Sequence, residues 1–199
     1  MELSVTHLHK YHCRAQSLCD VCAVPSRKGS HDVTQNFIVS CSLDATIRLW
    51  DFTVLRKRLT ESKELASFGG IEIECIRVLE GHERGINWVC FHPTQNYIAS
   101  SADDRKIKLW KYTSEVAWED SEIKGHTHNV SCVIFDPKTG HLISNSEDKT
   151  VRIWNIQSKA QVDIYKNLGQ RHWILALQKS GYMLASGHDD GFELFSLNR

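Results

Sequence analysis

Three stretches of this chain end alike, and the spacing behind them constrains the fold more than any single residue does. SCSLDATIRLW closes at Trp50, SSADDRKIKLW at Trp110 and SNSEDKTVRIW at Trp154. Each reads as a strand, a tight acidic turn and a second strand. A Gly-His pair opens two of the units, Gly81-His82 and Gly125-His126. In both, the His precedes an Asp (Asp104, Asp148) by 22 positions and a Trp (Trp110, Trp154) by 28. Four residue types held in register over units 44 positions apart mark a repeated supersecondary unit. Between these landmarks Ile86, Trp88 and Cys90 alternate, as do Ile107 and Leu109, and no segment carries a long helical stripe. The fold class is therefore all-β.

The Gly-His opening and Trp closing resemble WD40 repeats, which implies a β-propeller of four-stranded blades. On that reading 1–52, 81–124 and 125–168 are blades, 53–80 is an inter-blade connector and 169–199 is a degenerate closing blade. In the first blade VCAVP and TQNFIVS line up with VCFHP and TQNYIAS of the second, leaving 26–33 as a polar insertion that lengthens a surface hairpin. Counting back, Cys13-Arg14 stand where the Gly-His pair would be, so this blade has lost it. The closing blade keeps an acidic turn at Asp189-Asp190 and has Phe195 in place of Trp. The connector, of mixed charge with Gly69-Gly70, is longer than an ordinary loop and reads as an exposed insertion.

Ser100, His82 and Asp104 are the residue types of a nucleophilic triad, and the set recurs as Ser144, His126 and Asp148. An active site need occur once, whereas a brace must recur in every blade. Together with Trp110 and Trp154, and with Ser40, Asp44 and Trp50 in the first unit, these residues predict a buried polar network per blade and no catalytic residue. Cys19 and Cys22, with Cys13, His7, His9 and His12 nearby, offer zinc-type ligands, but no second CxxC or downstream His pair completes them. Cys22 also aligns with Cys90 and Cys132 as a strand residue, so no metal is expected, and no cofactor motif is present. Leu55-Arg56-Lys57-Arg58 reads as a solvated loop, and Trp88, Trp118 and Trp173 as packing side chains before ligand-stacking ones.

Lys and Arg number 24 and so do Asp and Glu, which removes the broad cationic field of sequence-independent nucleic-acid binding. The seven cysteines are an odd number scattered through apolar runs, the usage of a reducing compartment. The opening MELSVTHLHKYHC lacks an apolar core of signal-peptide length, and no run approaches the roughly 18 apolar residues of a membrane span. A cytoplasmic chain that meets membranes only through partners is expected.

A more specific resemblance lies in GHERGINWVCFHPTQNYIASSADDRKIKLWKY, SEVAWEDSEIKGHTHNVSCVIF, SNSEDKTVRIWNI and RHWILALQKSGYMLASGHDDGFELFSL. Together these are similar to the alpha subunits of coatomer, as is SLDATIRLWDFTVLRKRL followed by a long connector. The resemblance implies about four blades of a seven-bladed propeller, in a family that builds the COPI coat of vesicles returning proteins from Golgi to endoplasmic reticulum. It implies other coatomer subunits as partners, a peripheral place on Golgi membrane and COPI vesicles, and a relation to recognition of dilysine cargo tails. One family contact, an aromatic three places after the Gly-His histidine, falls on Ser17 here and is not retained. Glu83 is the one residue offered for a cargo lysine. The other function class considered is a WD40 scaffold or substrate receptor in a ubiquitin-ligase or chromatin complex, because propellers host many partners. Four blades leave two open flanks, which predicts poor solubility of the isolated chain.

Overall fold

The computed structural model describes residues 18–23, 37–55, 57, 73–113, 115–166, 168–178 and 181–197. These form four antiparallel sheets, each made of strands consecutive in the chain. The first holds β1 (Leu18–Ala23), β2 (Phe37–Ser42), β3 (Thr46–Asp51) and β4 (Glu74–Glu80). The second holds β5 (Ile86–Phe91), β6 (Tyr97–Ala102), β7 (Ile107–Tyr112) and β8 (Ala117–Ile123). The third holds β9 (Val130–Phe135), β10 (Leu142–Ser146), β11 (Thr150–Trp154) and β12 (Gln161–Tyr165). The last has three strands, β13 (His172–Leu177), β14 (Met183–His188) and β15 (Gly191–Ser196).

The acidic turns seen in the sequence join the second and third strands of the first three sheets. Each is a three-residue turn closed by a backbone bond from its third residue to the carbonyl three back: Ala45 to Ser42, Arg105 to Ala102 and Lys149 to Ser146. That third residue is left-handed, with φ of 65°, 69° and 62° respectively, the conformation that lets a three-residue hairpin match strand twist. The last hairpin is one residue shorter. His188 pairs directly with Gly191, so only Asp189 and Asp190 form its turn, whereas Ser146 pairs with Thr150 across three residues.

The alternation of side chains gives the second and third sheets two packed faces each. Val89, Phe91, Ile98 and Trp110 of the second sheet meet Val39, Ile47 and Leu49 of the first. On its other face Cys90, Ala99, Ile107 and Leu109 meet Val133, Leu142 and Trp154 of the third. The third repeats the arrangement, turning Cys132, Ile143, Val151 and Ile153 toward Leu175, Leu184 and Leu197. Each fully buried aliphatic side chain of this kind contributes about 1.5–3 kcal/mol. Along the line where the sheets meet, β1 packs on β5, β5 on β9 and β9 on β13. The sheets thus fan outward from their first strands as consecutive blades of a partial β-propeller.

Two features depart from the sequence reading. Residues 53–80 are not a connector throughout: Glu74–Glu80 is β4, the outer strand of the first sheet, with Leu79 opposite Ile47 and Cys75 opposite Trp50. The closing sheet has no fourth strand among the described residues, and Ile174, Phe192 and Leu194 on its far face are 50%, 67% and 58% exposed. The insertion at 26–33 and the Cys13-Arg14 pair lie outside the described residues. No helix among the described residues is long and apolar enough to cross a membrane.

Candidate functional site

The third sheet shows the repeated polar set most completely. Trp154 Nε1 donates to Ser144 Oγ at 2.8 Å, and Ser144 Oγ lies 2.7 Å from His126 Nε2. On the other side of the ring His126 Nδ1 is 2.8 Å from Asp148 Oδ2. One assignment satisfies every atom: the indole N–H donates to the hydroxyl, the hydroxyl donates to Nε2 of a neutral imidazole, and Nδ1–H donates to an ionised carboxylate. Asp148 also accepts from the Thr127 backbone N–H at 3.0 Å and from the Thr150 hydroxyl at 2.6 Å. Burial alone would raise its carboxyl, but the hydrogen bond and charge of His126 with these donors hold it far below the usual range. Burial lowers the His126 imidazole more than the Asp148 carboxylate raises it. The two directions agree on a neutral ring facing a charged carboxylate.

The second sheet repeats the set. Trp110 Nε1 donates to Ser100 Oγ at 2.9 Å, Ser100 Oγ is 2.8 Å from His82 Nε2, and His82 Nδ1 is 2.7 Å from Asp104 Oδ2. The Glu83 backbone N–H reaches the same carboxylate oxygen at 3.1 Å. Burial pushes the Asp104 carboxyl up, yet His82 and the backbone donors hold it below its ordinary value. In both sheets the network fastens the loop entering the first strand to the turn between the second and third. The glycine before each His gives the indole room: a Cβ on Gly125 would lie 2.8 Å from Trp154 Cη2, and one on Gly81 3.1 Å from Trp110 Cη2.

Among the described residues the first sheet holds only part of the set. Trp50 Nε1 donates to Ser40 Oγ at 2.9 Å, while Asp44, exposed, accepts from the backbone and hydroxyl of Thr46 at 2.9 and 2.6 Å. Ser100 and Ser144 are fully buried. In the second and third sheets the set links the loop before the first strand to the turn between the second and third strands, and neither serine reaches solvent.

Glu83 is exposed and paired with Lys106 of its own sheet at 2.6 Å. Of the tryptophans, Trp88 packs against the core between the second and third sheets and against the core between the third and last. Trp118 and Trp173 are 45% and 39% exposed, and Trp173 Nε1 donates to Asp189 Oδ1 at 2.7 Å. Among the described residues no group of three or more His, Cys, Asp or Glu is placed to hold a metal. Cys13, His7, His9 and His12 lie outside them, and Cys19 and Cys22 are described only as backbone of β1.

Other turn-forming polar groups were not singled out in the sequence. Thr46 and Thr150 bond the turn aspartate two residues back. Asp136, fully buried, accepts from the backbone of Lys138 and Thr139, and His92 Nδ1 accepts from the backbone of Thr94 and Gln95. The signal was present as Asp-x-Thr, Asp-Pro and His-Pro, combinations whose side-chain acceptors start turns.

Residues 6–51, 73–111 and 119–155 match the family described as WD domain, G-beta repeat. Over 132 residues the chain is 54% identical to coatomer subunit alpha-3 of Oryza sativa subsp. japonica and to coatomer subunit alpha-2 of Arabidopsis thaliana, covering 66% of this chain and 11% of each relative. Over 122 residues it is 52% identical to coatomer subunit alpha of Saccharomyces cerevisiae, covering 61% of this chain and 10% of that protein. The chain thus spans about a tenth of the length of these relatives, and the resemblance to coatomer alpha subunits read from its motifs is borne out over about two thirds of its own. With repeats matched along more than half of its length and blades that carry the Trp-Ser-His-Asp brace, the chain belongs to the WD40 repeat family.

Proposed function

We propose that this chain is a structural and adaptor component of the COPI coat, acting in Golgi-to-endoplasmic-reticulum vesicle transport and joining other coatomer subunits at the cytoplasmic face of Golgi membrane. The observation that carries this reading is the 54% identity to coatomer alpha subunits over 132 residues. The chain works by presenting surfaces, not by catalysis, a reading supported by the burial of Ser100 and Ser144 inside their blades. Assembly in a coat sums many weak contacts, a task that suits the broad surface of repeated blades.

The relation to dilysine tails belongs to the same proposal. Glu83 is the residue offered for a cargo ammonium group, and it would have to exchange its Lys106 partner for that lysine. An exposed pair of this kind gives little affinity, so other contacts would carry most of the recognition. Affinity capture of the tagged chain from cytosol, followed by mass spectrometry, tests the coat assignment. Co-purification of other coatomer subunits is the expected result, and recovery of cullin-adaptor or histone-modifying subunits in their place would overturn it.

A further inference from the structure

Between the second and third sheets, at the end of the fan that carries the His networks, lies a cleft of about 480 Å³. That volume falls within the roughly 300–1,000 Å³ range of ligand sites. It is walled by Glu83 and Arg84 before β5, by Asp103 and Arg105 in the β6–β7 turn, and by Thr127 and His128 before β9. The carboxylates along it already have donors. Glu83 is held by Lys106 at 2.6 Å, Asp103 accepts from Asn87 Nδ2 at 2.7 Å, and Asp104 is bound by His82 and by two backbone N–H groups. The Arg84 and Arg105 guanidinium groups, both exposed, have no ion-pair or hydrogen-bond partner among the described residues.

The neighbouring seam shows what the same positions do when they are committed. Arg84 corresponds to His128, two residues after the network His, and Arg105 corresponds to Lys149, one residue after the network Asp. In the third sheet His128 Nδ1 lies 3.3 Å from Glu147 Oε2, and Lys149 Nζ donates to the Gly169 carbonyl of the next loop at 3.2 Å. Arg171 of that next loop adds a contact to Glu147 at 3.5 Å. The seam between the third and last sheets is thus bridged by its own side chains. At the seam before it the acid matching Glu147 is the shorter Asp103, which Asn87 occupies, and both cations are left facing the cleft.

From this contrast we infer that the cleft between the second and third sheets binds an acidic peptide segment of a protein partner, with Arg84 and Arg105 as its two carboxylate-binding residues. A planar guanidinium presents paired donors that match a carboxylate. Glu83, Asp103 and Asp104 remain nearby as fixed negative charges. They disfavour a dense polyanion such as nucleic acid or a clustered phosphate, and they leave a ligand with isolated carboxylates separated by neutral backbone as the fitting class. The inference rests on the fold and these side chains alone, so it stands or falls separately from membership of a coat.

Fluorescence anisotropy with a labelled peptide of alternating glutamate and glycine tests it. The peptide binds, and the matched glutamine and lysine peptides bind about tenfold more weakly or worse. The double variant Arg84→Gln, Arg105→Gln loses about tenfold or more in affinity while its thermal melt stays that of the parent, since both side chains are exposed. Lys149→Gln, whose parent side chain is already engaged, leaves binding unchanged. Equal binding of the glutamine peptide, an unaffected double variant, or capture by phosphatidylserine vesicles without any binding of the glutamate peptide would each overturn the assignment.

Discussion

The third and last sheets are built on the same strand order and pack on one another, but their polar interiors differ. In the third, every atom of the Trp154, Ser144, His126 and Asp148 set has a partner. In the last, His172 is fully buried on β13 with Nδ1 2.9 Å from Ser186 Oγ, while its Nε2 has no partner among the described residues. Facing it across the interface, Asn145 Nδ2 reaches Ser186 Oγ at 3.3 Å and leaves its own Oδ1 unpaired. The cause is local: the β14–β15 turn is one residue shorter than β10–β11, and Phe195, opposite Leu184 as Trp154 is opposite Leu142, offers no N–H. The last sheet thus keeps the serine of the brace without its tryptophan or its three-residue turn, whereas the first keeps the bond between Trp50 and Ser40 beside a turn of full length.

Substitutions that separate the two sheets sharpen this comparison. His126→Ala strands the Asp148 carboxylate inside the blade and should cost about 3–5 kcal/mol, whereas His172→Ala removes a side chain with one hydrogen bond and should cost about 1–2 kcal/mol. Urea unfolding monitored by tryptophan fluorescence reads both, and equal losses would show that the network is no stronger than an ordinary buried histidine.

The two faces of the last sheet make a second contrast. Leu184, fully buried toward the third sheet, should cost about 3 kcal/mol when replaced by Ala, while Leu194, 58% exposed on the far face, should change stability by about 0.5 kcal/mol or less. In the same unfolding measurement, a large loss for Leu194→Ala would mean that the far face is covered in solution.

The smallest expected effect is in the pH profile. His126 and His172 both have lowered imidazole pKa values, chiefly because burial penalises the charged ring. The unfolded chain then binds more protons below about pH 6.5, so stability is complete above that value and falls as the pH drops through it. Asp104 and Asp148, lowered in the folded state, add a second loss that begins as the pH falls below about 3.8. Thermal melts from pH 8 to pH 3 follow both steps, and His126→Gln should flatten the first.

How much of this was legible in the chain follows from where each signal comes from. The spacing of 22 between His82 and Asp104, and again between His126 and Asp148, is spanned in space by contacts of 2.7 and 2.8 Å, because a closed hydrogen-bond network fixes both residue type and position. Outer strands carry no such mark. β4 reads ECIRVLE with only Leu79 buried, since it pairs on one side and meets solvent along its length, and that weak pattern makes 74–80 read as connector in the sequence. Arg84 and Arg105 were equally silent: an unpaired cation leaves no imprint on spacing, and only its paired counterparts His128 and Lys149 reveal it as an exception.

The alternation of faces from sheet to sheet has a consequence for association. Trp110 and Trp154 look backward along the stack, and Ile107, Leu109, Val151 and Ile153 look forward. Such a stack is polar, like a column of cups, and its two terminal surfaces are different in kind. Any sheet added beyond Phe192 and Leu194 in the same manner must arrive tail-first, as a heterologous junction without a two-fold axis. Growth by that junction ends only when curvature brings the last surface round to the first, so the geometry of the turn per blade, not the identity of the final blade, decides whether the array is finite.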